Sequence, residues 1–173
     1  MSILKTNQIT DLGGNELLTS NGSGVISSGG AITNTPAFRA RMSGNQSFTG
    51  NTNTKVNFNT VVYDTDSGYD TSNYRYTVPT GKGGKYWFYA SVMCSVSSND
   101  HRVQVRYYVN GTETIMQYVA GITGKVMGRC DTALTLSASD YVECYILTDS
   151  TSSQTVDSDT KASYWGGYKL IGA

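Results

Sequence analysis

A chain of 173 residues, with 13 Lys+Arg set against 13 Asp+Glu and charged residues only 15% of the total, has room for one ordinary domain and carries no net charge. That balance excludes a highly charged disordered tail and argues against nucleic-acid binding, which needs clustered Lys/Arg to neutralise phosphates. With 22 Thr, 20 Ser, 12 Asn, 19 Gly and 13 Tyr but only 2 Pro, its polarity comes from uncharged groups that favour strands and turns over helices.

No apolar run is long enough to span a membrane as a helix, and the N-terminus lacks the apolar core of a secretory signal. Cys94, Cys130 and Cys144 read as reduced thiols in a chain made in a host cytoplasm, although their spacing leaves a disulfide pair open.

Residues 1–35 carry scattered aliphatics, Ile3, Ile9, Leu12, Leu17 and Leu18 among them, and no aromatic. Between them lie Gly13-Gly14-Asn15, Asn21-Gly22-Ser23-Gly24 and Ser27-Ser28-Gly29-Gly30. Such dense turn and linker signals predict an extended segment that buries too little apolar area to fold alone and is ordered by docking on a partner.

From Pro36 to Ala173 the pattern changes to period-two alternation. Phe38, Ala40 and Met42 share one strand face, Val56 and Phe58 another, and Tyr74, Tyr76 and Val78 a third. The strongest run places Tyr86, Phe88, Ala90, Val92 and Cys94 on one side and Trp87, Tyr89 and Ser91 on the other, so both faces are expected to be covered. Val103, Val105, Tyr107 and Val109 lead through Asn110-Gly111, a strong hairpin signal, into a strand over Thr112–Val119. Thr132, Leu134 and Leu136 run into Ser137-Ala138-Ser139-Asp140, and Val142, Cys144 and Ile146 run out of it. A polar loop over residues 148–161 then precedes a last strand from Ser163 to Ile171. About eight strands and no helix predict an all-β, antiparallel sandwich or jelly roll.

The order of these pieces resembles the globular head of complement component one-q, within the tumour-necrosis-factor-like jelly rolls. Pro36-Ala37-Phe38-Arg39-Ala40 resembles its first strand, and Gly68-Tyr69-Asp70, Tyr74–Pro79 and Gly84–Phe88 its central block. Tyr108-Val109-Asn110-Gly111 resembles its hairpin with Val109 in place of a lysine, and Leu134–Tyr145 a later strand pair with Ser139 in place of a glycine. Trp165–Leu170 resembles the terminal strand. The resemblance implies a ten-strand jelly roll that assembles as a homotrimer with both termini at its base. A second resemblance lies in Ile3–Asp11, Gly14–Ser20 and Asn21–Gly24, which is similar to the N-terminal attachment segment of tailed-phage virion proteins, especially those of marine cyanobacterial phages. That implies docking on other virion proteins through Ile3, Ile9, Leu12, Leu17 and Leu18.

Three clusters invite a chemical reading. His101 is the single histidine, but no nucleophile elbow or other triad signature accompanies it, so no enzyme is expected. Asp64, Asp66 and Asp70 stand at i, i+2 and i+6 around Gly68, like the start of a calcium loop, but Arg75 occupies the place of the bidentate Glu. The competing reading is a turn whose side chains cap backbone amides. Among the tyrosines, Tyr69, Tyr107, Tyr118, Tyr145 and Tyr164, with Trp165, are candidates for a trimer interface or for stacking on a glycan.

The resulting expectation is a non-enzymatic phage fibre or spike, trimeric, docked by residues 1–35 and binding host-surface polysaccharide through residues 36–173. A capsid decoration protein and a polysaccharide-degrading spike are the alternatives.

Overall fold

The computed structural model describes residues 6–23, 25–28, 35–96, 102–120 and 124–170. The leader is not extended. Strands β1 (Gln8–Thr10), β2 (Glu16–Ser20) and β3 (Ile26–Ser28) form an antiparallel meander, a sheet of its own. Two of the runs that read as linker, around Gly14 and Gly22, are the turns of this meander. Gly14 and Gly22 adopt φ of 79° and 80°, and the Asp11 carboxylate accepts the Asn15 amide at 2.8 Å. Asn21 does the same for Ser23 at 2.8 Å. Turn-forming chemistry and linker chemistry use the same residue types, which is why composition alone misread the segment.

The rest of the chain is a sandwich built from β4 (Ala37–Arg41), β5 (Gln46–Thr49), β6 (Thr54–Lys55), β7 (Thr60–Asp64), β8 (Tyr69–Asp70), β9 (Arg75–Thr77) and β10 (Gly84–Val96), followed by β11 (Arg102–Val109), β12 (Thr112–Ala120), β13 (Gly124–Leu136), β14 (Tyr141–Thr148), β15 (Ser153–Val156) and β16 (Tyr164–Lys169). No helix occurs among the described residues. The first sheet runs β5-β15-β10-β16-β4-β7, with β13 on the far edge of β10. The second runs β12-β11-β14-β9-β8, with β6 beside β14. Every pairing is antiparallel. The expected sandwich is therefore present, with more and shorter strands than alternation alone marks out.

The core is aromatic. Trp165 of β16 meets Phe38 edge-on at 5.1 Å and Tyr69 at 5.6 Å, and lies within 6.5 Å of Phe58, Phe88 and Tyr107, so rings from both sheets converge on one buried indole. Each such buried ring contributes roughly 1.5–3 kcal/mol. Two glycines follow it. Gly167 lies opposite Phe88 and Gly166 opposite Tyr89, and a Cβ at either position would overlap the facing ring. Successive residues point to opposite faces, so one glycine admits a ring on the core side and the other admits a ring on the outside.

The two sheets are also tied by polar groups. Tyr107 donates to the Cys130 carbonyl at 2.8 Å. The Gln117 side-chain amide donates to the Asp131 carbonyl at 3.1 Å and accepts from its N–H at 3.4 Å, so it acts like a ladder residue between β12 and β13. Cys94, Cys130 and Cys144 are buried free thiols. Burial pushes Cys94 and Cys130 up to about 12 and raises Cys144 well above its ordinary value, which keeps all three protonated.

Replacing Trp165 with Ala is expected to cost about 3–5 kcal/mol, read as a lowered urea midpoint. Ser139, in the place where the resemblance expects glycine, sits at φ 72°. Ser139→Gly should relieve that conformation and raise stability by about 1 kcal/mol, a melting-temperature gain of about 2–4 °C.

Candidate functional site

The three loop carboxylates are not gathered around a common point. Asp64, at the end of β7, accepts the Gly68 amide at 3.2 Å and the Tyr69 amide at 2.8 Å. Asp66 accepts the Thr65 hydroxyl at 2.7 Å and pairs with Lys82 at 3.4 Å. Asp70 caps the following turn, taking the Ser72 amide at 2.8 Å, the Asn73 amide at 3.0 Å and the Asn73 side chain at 2.6 Å. Those Asn73 bonds hold the Asp70 carboxyl below its ordinary range. Among the described residues no group of three or more His, Cys, Asp or Glu side chains could hold a metal. The geometry is that of capped turns beside a shallow groove of about 340 Å³ lined by Ser67, Asp70, Pro79 and Ser139.

The six aromatic candidates divide by strand parity. Tyr69, Tyr107 and Trp165 are core residues and offer nothing to a partner, because they face inward with Val103, Val105 and Phe38. Tyr118 is 62% exposed, while Tyr145 and Tyr164 are half-buried on outer sheet faces. His101 and Ile3 lie outside the described residues.

Tyr164 belongs to a patch on the outer face of the first sheet. Arg39 lies over its ring at 4.5 Å, and Tyr89 meets it edge-on at 6.3 Å. The Tyr89 and Tyr63 hydroxyls are 3.2 Å apart. Trp87 stands between Tyr168 and Ala133 on the neighbouring strands, and Trp87, Tyr63 and Met127 remain exposed. The signal for this patch was the run with aromatics on both faces. That run predicts cover on both faces, whereas in the single chain Trp87 is exposed and Tyr89 half-buried.

The outer face of the second sheet has different chemistry. The Tyr108 and Tyr145 rings are 4.4 Å apart and tilted by 39°. The Tyr145 hydroxyl donates to Glu143 at 3.3 Å, and Glu143, only 6% exposed, takes Lys55 at 2.6 Å. On the other side the Tyr108 hydroxyl donates to Glu113 at 3.0 Å, and Glu113 takes Arg106 at 2.7 Å. Arg106 also reaches Gln104, and Arg75 lies over the Tyr141 ring at 4.7 Å. Burial, then the carboxylate beside it, pushes the Tyr145 phenol up to about 12, so it remains a donor. Sequence reasoning missed Glu143, Glu113, Lys55 and Arg106, because only strand register brings them together.

In the leader, Ile9, Leu12 and Leu17 are exposed and Leu18 is half-buried. Ile9 lies opposite Leu18, and with Ile26 they line a slot of about 110 Å³.

The sequence profile of the C1q domain matches residues 37–170, almost the whole sandwich. The chain belongs to the C1q domain family. Three solved structures share the fold at low identity. The Eiger TNF of S. frugiperda superposes with a TM-score of 0.60 at 13% identity, covering 79% of this chain and 93% of that one. Murine APRIL gives 0.58 at 14% identity, covering 78% and 98%. The globular domain of zebrafish complement 1qA gives 0.54 at 13% identity, covering 78% and 97%. No curated protein sequence matches the chain.

For this C1q domain, Asp64→Ala should cost about 1–2 kcal/mol through loss of two amide caps, while added calcium leaves the melting temperature unchanged. Because the Asp70 pKa is lowered, its contribution is present above the ordinary carboxylate range. That contribution is lost as pH falls through the depressed value, so Asp70→Ala should flatten the acid limb of a stability–pH curve.

Proposed function

We propose that this chain is a structural, non-enzymatic virion protein of a tailed phage, a homotrimeric appendage whose leader docks on the particle and whose C1q-type head binds host-surface polysaccharide. The observation that carries the reading is the leader. Its three strands pair only with one another, and no described residue of it is buried. A three-stranded sheet needs a covered apolar face to persist, and here the face of Ile9, Leu18 and Ile26 is left for something else to cover. The similarity of the same residues to phage attachment segments names the kind of partner.

The trimer draws support from the outer face of the first sheet. Trp87, Tyr63 and Met127 are large and exposed on a face where the sequence pattern calls for cover, and the family resemblance supplies that cover as two further copies. Three heads per spike and many spikes per particle then give avidity without high single-site affinity.

Light scattering coupled to size-exclusion chromatography should return about 3 × 18.7 kDa for the full chain. The chain shortened to residues 36–173 should remain trimeric but should fail to be incorporated into particles. A monomeric full chain, or incorporation without the leader, overturns the proposal.

A further inference from the structure

The two outer faces of the sandwich differ in a way that assigns them different occupants. The first carries Trp87 and Met127, exposed on central strands, which suits a second protein surface. On the second, the exposed apolar side chain of the strip is Met116, at its edge on β12. There the rows formed by strand register are Met116, Arg106, Tyr145 and Lys55 in one line, and Glu113, Tyr108, Glu143 and Arg75 in the next. Four of its charges are paired, Lys55 with Glu143 and Arg106 with Glu113, and Arg75 lies over the Tyr141 ring, so it offers no strong field to a polyanion or a charged peptide.

The same pairs lock two aromatic rings. Each phenol donates to a carboxylate that is itself held by a cation, so the Tyr108 and Tyr145 rings cannot turn without breaking a charge-assisted bond. Ring surface fixed in this way next to carboxylate, guanidinium, ammonium and amide groups matches a pyranose: its C–H face packs on an aromatic ring and its hydroxyls need planar donors and acceptors at the ring edge. Preorganised partners of this kind spare a ligand the cost of ordering them.

We propose that the outer face of the second sheet is a saccharide-binding strip, with Tyr108 and Tyr145 as stacking rings and Glu143, Glu113, Lys55 and Arg106 as the groups that bind sugar hydroxyls. It rests on the polysaccharide reading of the head and locates that binding on one face. The occupant is a neutral or weakly charged glycan chain, laid across the strands because the rows of rings and paired charges run in that direction.

The test is binding of the full-length protein to an array of purified bacterial capsular polysaccharides and O-antigens, repeated with single substitutions. Tyr108→Ala and Tyr145→Ala should each weaken binding of the best array glycan by about ten-fold. Glu143→Gln, which keeps shape and removes charge, should weaken it by a similar factor, with melting temperature and oligomeric state holding. Should an alanine variant misfold, Tyr145→Phe serves instead, since it keeps the ring and frees it from Glu143. Ser72→Ala, in the turn after β8, should bind as the parent does. Array binding that all strip variants retain overturns this assignment and leaves the polysaccharide reading standing. Failure of the unaltered protein to bind any array glycan overturns both.

Discussion

Two adjacent glycines on one strand govern how this molecule is built. Because side chains alternate across a strand, Gly167 clears space on the core side for Phe88 and Gly166 clears it on the outside for Tyr89. The preceding Trp165 then gathers the core rings of both sheets. The triplet therefore sets the closure of the sandwich and the position of the outer aromatic patch together. A side chain at Gly167 would drive Phe88 off the indole, and one at Gly166 would lift Tyr89 away from Tyr63. The interior and the proposed contact surface between copies are thus not independently adjustable.

The alternation of large residues made most of this architecture readable in advance. Phe38, Tyr76, Phe88, Val105, Cys144 and Ile146 all face inward as their parity requires. What escaped notice was carried by small or polar residues. The first half of β13 presents Val126, Gly128 and Cys130 to the core, too little bulk to register as a hydrophobic face, yet Gly128 must be small because Val103 and Val105 occupy its side. Strand β15 hid in a polar run because Gln154 is buried as completely as Val156. The pair Val56 and Phe58 is buried without being strand, held by the bond from the Val56 N–H to the Cys144 carbonyl at 2.9 Å. Tyr74 falls out of its alternating run because its φ is 51°.

Surface chemistry was less legible, for a physical reason. A carboxylate, a lysine and two tyrosines spread over four strands become neighbours only through inter-strand register, and register is decided by the whole core. The same limit explains why Tyr69, Tyr107 and Trp165 looked like contact residues: composition counts aromatics but does not say which way they face. The three aspartates looked like ligands since turn caps and calcium loops draw on the same short acidic side chains. With the proposed roles in place, the sandwich has one apolar flank for copies of itself, one hydrogen-bonding flank for sugar, and a separate small sheet for the particle.

The sealed sulfurs carry one more consequence. Cys94, Cys130 and Cys144 sit in the interior with their thiolate forms suppressed. An alkylating dye has no target while the sandwich is closed, and since the three are spread over β10, β13 and β14, exposing them requires the sheets to part. Dye uptake would thus act as a clock for rare opening, recording how seldom the sandwich lets go of its fold.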